Sequence, residues 1–574
     1  MKTLTNILNY EINRDAINND FYIVRFENEK DFKKVNSRLL DNPDISIRSL
    51  SYSYGKNAYA LMDKEAYEDL RCCTDLENIK YSILNIYDAF DETILRLFLN
   101  ALSNFELEGL AYNNLTGNFY KFLDNSGRKI KALDFTIKKA FKESNSIIIK
   151  VGSTSFIRTK KIPYGEPTYV LTGNNRTLKR TFDSSEKDTY IKGNDKDKNT
   201  SYPFLVIKDG SGRAKEITNL IDLFNKKYSK YVYIKLSDLE IARKIAPKKI
   251  KLQDETMNLI KEYKINVVSK ITDSSYNDLI DDFISNIKGI GLKVSKSSKL
   301  MKDRLNIVLI YNENYYIKHE IPDPHKTLDI KCVNQCIIID NLKDMLKYDK
   351  SNKTSAQLIT VFKELLIKND IVNNKNIFTY DDWSSYKFVN SYTFIQKDGD
   401  YDLYKMVIQP DGKYNINKEK IDLFNAYENE KYKNIFVNNK DVKLVIIDDK
   451  GNINAIERTE LITLPYSELF KELPISKSKN KKDELYSGLC DINYYMTNNE
   501  CYYNVGQLLP NIRMTIQRAS HLYRINCVDN SECFMTNILE LMSVGFVKYN
   551  ELTVLPYPIK YLREYIAMDN KNKN

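Results

Sequence analysis

Long apolar runs are missing from this sequence. Its densest stretches, such as Cys336–Asp340 and Lys443–Ile447, are only strand-length, so no segment is expected to span a bilayer. The opening MKTLTNILNYEINRD holds one early lysine and no sustained apolar core. It does not read as a secretory signal, and a cytoplasmic location with no membrane partner is the expectation. Cysteine is sparse: Cys72, Cys73, Cys332, Cys336, Cys490, Cys501, Cys527 and Cys533 are the eight, and none forms a CxxC pair. Histidine is sparser, with only His319, His325 and His521. No structural zinc site is expected from that supply, and the cysteines read as buried, reduced thiols. There is no GxxxxGK[ST], which excludes a P-loop ATPase. The Asp209-Gly210-Ser211-Gly212-Arg213 stretch bears glycine but lacks the phosphate-binding lysine. GxSxG, HExxH and the kinase signature set are absent too.

What is present is globular. The 574 residues are 42% hydrophobic and 29% charged, enough for about three to five domains at roughly 100–200 residues each. Net charge is +10, from 87 Lys+Arg against 77 Asp+Glu, a balance that permits nucleic-acid binding without demonstrating it. Aromatics reach 12%, with 42 Tyr and 24 Phe. AT-rich codon usage explains that supply, and so would stacking platforms for bases. The strongest basic–aromatic interleaving is Phe224–Lys251, where nine Lys/Arg and two acids alternate with Tyr228, Tyr231 and Tyr233. Lys226, Lys227, Lys248 and Lys249 are its candidate backbone contacts. The segment is either a phosphate-tracking surface or a solvated charged face.

Along the chain, residues 1–125 read as α+β, with helical spacing over Glu92–Asn104. Asp183–Thr200 is polar and reads as a surface insertion. Leu305–Tyr311 and Lys331–Asp340 are strand candidates, and Ala356–Lys368 is an amphipathic helix. Tyr392–Gln396 and Tyr404–Gln409 flank Asp398-Gly399-Asp400, and Pro410-Asp411-Gly412 follows, which is a β-meander signature. Ile421–Tyr427 and Asn511–Tyr523 read as helices, and Val442–Ile447 as a central strand. A meander followed by alternating helix and strand fits helices layered on a mixed sheet.

Four segments, in this order, resemble a prokaryotic Argonaute of the PIWI superfamily. They are LRLFLNALSNFELEGLAYNNLTGNFYKF (Leu95–Phe122), KALDFTIKKAF with IIIKVGSTSF (Lys131–Phe156), KCVNQCIIIDN with QLITVFKELLIKND (Lys331–Asn341 and Gln357–Asp370), and LTVLPYPIKYLREYIAM (Leu552–Met568). The resemblance implies a multidomain α/β protein. Its parts would be an N-terminal domain over 1–125, a linker over 126–300 with a reduced or absent PAZ, a Rossmann-like MID domain over 301–385, and an RNase H-like PIWI domain over 386–574. It also implies a function, guide-dependent binding of a DNA or RNA target in defence against plasmids or phage, with a partner nuclease or helicase.

In that family the MID domain holds a guide's 5′ end. Gln335 and Lys368 match its glutamine and later lysine, His325 and Lys326 stand for the earlier basic pair, and a Mg²⁺ ion at the guide's 5′ end is the one cofactor implied. Each residue also has an ordinary reading, Gln335 as a strand-end hydrogen-bonder and Lys368 as a cation near a helix C-terminus. Cutting would need carboxylates converging on two metal ions. The first meander strand, Ser391–Gln396, carries none; Asp448 and His521 are the weak remaining candidates, and Asp448-Asp449-Lys450-Gly451 is also a good turn sequence. The resemblance therefore implies a non-cleaving protein that requires no catalytic cofactor. The alternatives are an active nuclease using Asp398, Asp448 and Glu540, or an interaction scaffold without nucleic acid.

Overall fold

A computed structural model describes residues 2–26, 47–52, 58–72, 80–104, 109–113, 118–125, 128–141, 146–159, 168–172, 177–181, 189–193, 202–206, 209–245, 248–249, 253–328, 331–346, 354–375, 390–421, 431–464, 492–496, 500–504, 515–547 and 554–571. The chain is mixed α/β and forms two compact units. One comprises Met1–Glu240, Thr459–Leu489 and Leu509–His521, the other Ile241–Arg458, Cys490–Leu508 and Leu522–Asn574. Among the described residues, no helix is long and apolar enough to cross a membrane.

The first unit is rich in antiparallel strands. Its elements include strand β1 (Lys2–Ile12), helix α1 (Asp91–Ala101) and the meander β2 (Phe119–Asn125), β3 (Lys129–Lys139) and β4 (Ile147–Thr159). Helix α1 forms because Ile94, Leu95, Phe98 and Ala101 fall on one buried face, while Asp91 and Glu92 occupy the first turn, where the helix dipole favours anions. Asn6 on β1 is fully buried and satisfied. Its Nδ2 donates to the Ile149 and Glu460 carbonyls at 3.0 and 3.2 Å, and its Oδ1 accepts from the Ile462 N–H at 2.9 Å. The polar insertion contains a strand, contrary to its sequence reading. Thr189–Lys192 pairs with β4 through Ile191↔Ile157, and Tyr190 is buried. Pairing to a neighbouring strand outweighs local polarity there.

Helix α2 (Arg213–Tyr228) opens at Gly212. A Cβ at Gly212 would lie 2.5 Å from the Phe204 carbonyl oxygen, and its φ is +128°. The glycine of the Asp209–Gly212 loop is thus required by close backbone approach.

The second unit holds a four-stranded parallel sheet of β5 (Lys264–Ser269), β6 (Lys293–Ser297), β7 (Leu305–Ile310) and β8 (Asn334–Ile338), in the order β6-β5-β7-β8. Helix α3 (Asn277–Gly289) joins β5 to β6, as parallel pairing requires. Every residue of β7 is buried, so the strand reads as a continuous apolar run rather than an alternation. The sheet begins with β5 at Lys264, a strand not read in the sequence. KINVVS is a short apolar run between lysines, and its own sequence does not mark it as a strand. Two buried asparagines hold the sheet's interior: Asn266 Nδ2 donates to Asn306 Oδ1 at 2.9 Å, and Asn306 Nδ2 reaches the Val333 carbonyl at 3.0 Å. Helix α4 (Ala356–Asn373) is capped by Ser355, whose side chain accepts from the Leu358 N–H, and ends at Asn374 in the left-handed region.

The expected meander is present as β9 (Tyr392–Asp398), β10 (Asp402–Ile408) and β11 (Tyr414–Lys420). Gly399 and Gly412 take positive φ in its two turns. Helix α5 (Lys431–Asn438) comes next, then β12 (Val442–Asp448) and β13 (Ile453–Leu464). Strand β12 pairs with β9 antiparallel, Thr393 facing Ile447, so β11-β10-β9-β12-β13 is antiparallel throughout and not mixed. The strand entered at Val442 runs opposite to β9, and no parallel crossover forms. The helix expected at Ile421–Tyr427 lies outside the described residues apart from Ile421.

Strands β14 (Ile492–Met496), β15 (Cys501–Asn504) and β16 (His521–Cys527) are antiparallel neighbours, and helices α6 (Met535–Ser543) and α7 (Tyr557–Lys571) close the chain. The helix expected over Asn511–Tyr523 is not formed. Thr515–Ile516 and His521–Cys527 are strands, the second held by the register Tyr502↔Arg524, and 511–514 lie outside the described residues. Ile516, Ala519, Leu522 and Tyr523 have helical spacing, but strand pairing overrides it.

Candidate functional site

Gln335 and Lys368 meet in the second unit. Gln335 is on β8, at the edge of the parallel sheet, and Lys368 is on α4. The Lys368 ammonium donates to Gln335 Oε1 at 2.6 Å and to the Asn334 carbonyl at 3.0 Å. Lys368 is buried at 9% exposure, while Gln335 is half-buried. Because Oε1 faces the lysine, the amide nitrogen of Gln335 points the other way with its donors. The two bonds from Lys368 go to neutral oxygens and use two of the three donors an ammonium carries. An incoming phosphate oxygen would meet a cation and an oriented amide, which is the chemistry that charge-assisted anion binding needs. The pair lies at the amino end of the parallel strands, since Gln335 faces Ile307 near the start of β7. Open parallel sheets usually bind ligands at the other end. Any anion site here therefore rests on these side chains and not on strand ends or helix dipoles.

A second cluster, unread in the sequence, adjoins Lys368. On α7 the Lys560 ammonium lies 2.7 and 2.9 Å from the two oxygens of Glu364 on α4, and 2.6 Å from Glu564. Burial, and then repulsion from Glu564, pushes the Glu364 carboxyl up. Burial also acts to raise Glu564, but Lys560 and Lys368 outweigh it and hold that carboxyl below its usual range. Next to Lys560, the buried Tyr561 hydroxyl donates to Asp370 at 2.8 Å. The Lys368 and Lys560 ammonium groups thus both act on the Glu364 and Glu564 carboxylates. Both carboxylates are already taken by Lys560, so this donor set does not fit a Mg²⁺ ion at a guide's 5′ end. Glu364/Lys368 and Lys560/Glu564 are i,i+4 pairs visible in sequence. That they face one another follows only from the packing of α4 on α7.

The other expected residues fall elsewhere. Asp323 caps the short helix Pro324–Thr327 through the His325 N–H, and the Lys326 ammonium lies 3.4 Å from Glu313. The contacts described for His325 and Lys326 do not include Gln335 or Lys368.

Asp448 ends β12, where its carboxylate accepts from the Lys450 N–H at 3.0 Å, the Asn452 N–H at 2.8 Å and Asn452 Nδ2 at 2.8 Å. These bonds fasten the β12–β13 turn. His521 begins β16 and belongs to the other compact unit. Asp398 accepts from Asn570 Nδ2 at 2.6 Å, and the Glu540 side chain is outside the described residues. Among the described residues no group of three or more His, Cys, Asp or Glu side chains is arranged to hold a metal ion.

The basic–aromatic segment is divided as well. Lys226 and Lys227 are exposed in the last turn of α2, where cations suit the helix dipole. Lys248 and Lys249 form a two-residue strand in the second unit. The tyrosines between them are largely structural. Tyr228 is buried edge-on against Phe98 and Phe224, and Tyr231 stacks on Phe98 with its hydroxyl donated to Asp20; Tyr233 is 41% exposed. Much of the tyrosine supply is core, with Tyr404, Tyr494, Tyr495, Tyr502, Tyr503, Tyr557 and Tyr561 among the largest fully buried side chains. They are not stacking platforms for bases.

No protein-family profile matches the chain, and no curated protein matches it.

Proposed function

We propose that this chain is a non-cleaving, guide-dependent nucleic-acid-binding protein of the Argonaute type, which holds the 5′ end of a single strand at Gln335 and Lys368. The observation that carries the reading is the 2.6 Å bond between these two side chains, 33 positions apart in sequence. They match the family's glutamine and later lysine, and they form one cation–amide pair. Lys368 supplies charge and Gln335 an oriented N–H donor. Each charge-assisted bond to a phosphate is worth roughly 1.5–3 kcal/mol. A 5′-phosphorylated strand is therefore favoured over a 5′-hydroxyl strand by on the order of tenfold to a hundredfold.

The non-cleaving part of the reading is supported by Asp448, whose carboxylate oxygens are engaged in a turn, and by the lack of an acid in Ser391–Gln396. A cytoplasmic role in defence, with a partner nuclease or helicase damaging the target, rests on the resemblance alone. The test is to purify the full chain from cells, extract bound nucleic acid and label its ends. Short strands that accept label only after phosphatase treatment support the reading. A protein free of nucleic acid, which also fails to take up short phosphorylated strands, contradicts it.

A further inference from the structure

The second unit gathers three cysteines that no function above uses. Cys501 opens β15, Cys527 closes β16, and Cys533 lies in the turn entering α6. All three are free and half-buried, whereas Cys332 is buried. Cys533 is the hub. The Tyr494 hydroxyl is 3.3 Å from its sulfur, Cys501 faces Ile525 two residues before Cys527 on the neighbouring strand, and the Cys501 and Cys527 thiols are close enough to act on Cys533. Cys533 also stands two residues before Met535, the first residue of the nine-residue helix α6.

The turn is held firmly. The buried Asn454 side chain donates to the Glu532 carbonyl at 2.9 Å, accepts from the Phe534 N–H at 3.2 Å, and reaches the Cys527 sulfur at 3.8 Å. The Tyr494 hydroxyl therefore meets a partly exposed sulfur in a fixed turn just before a helix N-terminus, a setting that favours a thiolate.

We propose that Cys533 is a peroxide-reactive thiol and that Cys501 resolves it into a Cys501–Cys533 disulfide. Hydrogen bonding from Cys501, against the opposing effect of burial and with help from Tyr494, Met535 and Cys527, lowers the Cys533 thiol to about 6. Hydrogen bonding to Cys533, and then burial, pushes Cys501 up. Burial, followed by the charge of Cys533, pushes Cys527 up to about 11. The two steps need one thiolate beside a protonated neighbour.

In the first step the Cys533 sulfur attacks one oxygen of a hydroperoxide. The O–O bond breaks, and the leaving hydroxide takes a proton to become water, which leaves Cys533 as a sulfenic acid. In the second step the Cys501 sulfur attacks the Cys533 sulfur, and the S–O bond breaks. The departing oxygen leaves as water with the Cys501 proton. Two thiols and one hydrogen peroxide give one disulfide and two waters. The inference is independent of the nucleic-acid reading.

The experiment treats the reduced full chain with hydrogen peroxide near neutral pH, followed by peptide mapping. Wild type is expected to yield the Cys501–Cys533 linkage with Cys332 and Cys336 still reduced. Cys501→Ser is expected to trap a sulfenic acid at Cys533, captured by a dimedone probe. Cys533→Ser is expected to lose both products. Native alkylation of wild type by iodoacetamide, which needs no variant to fold, should label Cys533 at least tenfold faster than Cys332. Equal labelling of these two cysteines would overturn the proposal, as would a Cys527–Cys533 linkage or a disulfide that persists in Cys533→Ser.

Discussion

Replacing Lys560 by methionine removes the cation that is hydrogen-bonded to both Glu364 and Glu564 while keeping much of the length of the side chain. The Lys560 side chain is 6% exposed, and those of Glu364 and Glu564 are 16% and 18% exposed. Solvent screening is accordingly weak. Breaking a buried ion pair by removing one partner costs about 3–5 kcal/mol, because the remaining charge is left uncompensated. Here two carboxylates remain, and they already repel each other. The sign of the pH dependence follows. In the wild type Glu564 is held below its unfolded value, so its contribution is present above that value and is lost as pH falls through the folded one. In Lys560→Met the bonds that lower both carboxyls are lost, the folded state is expected to bind protons more tightly, and stability should recover on acidification. A chain with two compact units is not guaranteed to unfold in one step, so hydrogen exchange over Tyr557–Lys571 is the better assay. Protection at pH 7 should fall by a factor on the order of 10²–10³, and the deficit should shrink towards pH 5. A loss of less than tenfold, or a deficit that grows on acidification, would refute the argument that Lys560 neutralises both acids.

Further outcomes follow from the other candidate residues. Charge reversal at Lys226, Lys227, Lys248 and Lys249 should flatten the salt dependence of single-strand binding, each neutralised phosphate contributing a slope of roughly −0.7; an unchanged slope means these lysines do not track the strand. Loaded protein should not cut a complementary target in Mg²⁺ or Mn²⁺, while guided binding persists in EDTA; a discrete cut opposite the guide's middle that Asp448→Ala abolishes would promote the nuclease alternative. Asp448→Ala should loosen the β12–β13 turn by about 1–2 kcal/mol, read as faster exchange at Lys450 and Asn452.

What could be read from the sequence was local. The meander at Tyr392–Lys420 was legible because Asp398-Gly399 and Pro410-Asp411-Gly412 require turns, and α4 because its apolar positions recur at helical spacing. The partner of each element was not legible. Nothing in Val442–Asp448 says that it pairs antiparallel with β9, and nothing in KINVVS says that it lies inside a parallel sheet. Pairing is set by neighbours distant in sequence. The candidate site divides in the same way. Gln335 and Lys368 were named through a family resemblance, since no spacing rule joins them. The Glu364–Lys560–Glu564 cluster was missed because its i,i+4 pairs look like ordinary surface pairs until α4 packs on α7. Composition left the role of the tyrosines open, and many of them fill the core.

The central claim is that the Gln335–Lys368 pair receives a 5′-phosphate. Gln335→Glu tests it without dismantling the local structure, because a carboxylate retains the bond to Lys368 while repelling a phosphate. The measurement is the ratio of affinities for one short single strand bearing a 5′-phosphate or a 5′-hydroxyl, at fixed salt, for wild type and variant. The account predicts that wild type prefers the phosphate by on the order of tenfold or more, and that Gln335→Glu removes the preference and leaves hydroxyl binding unchanged. A wild type indifferent to the phosphate, or a variant that keeps the preference, would contradict it.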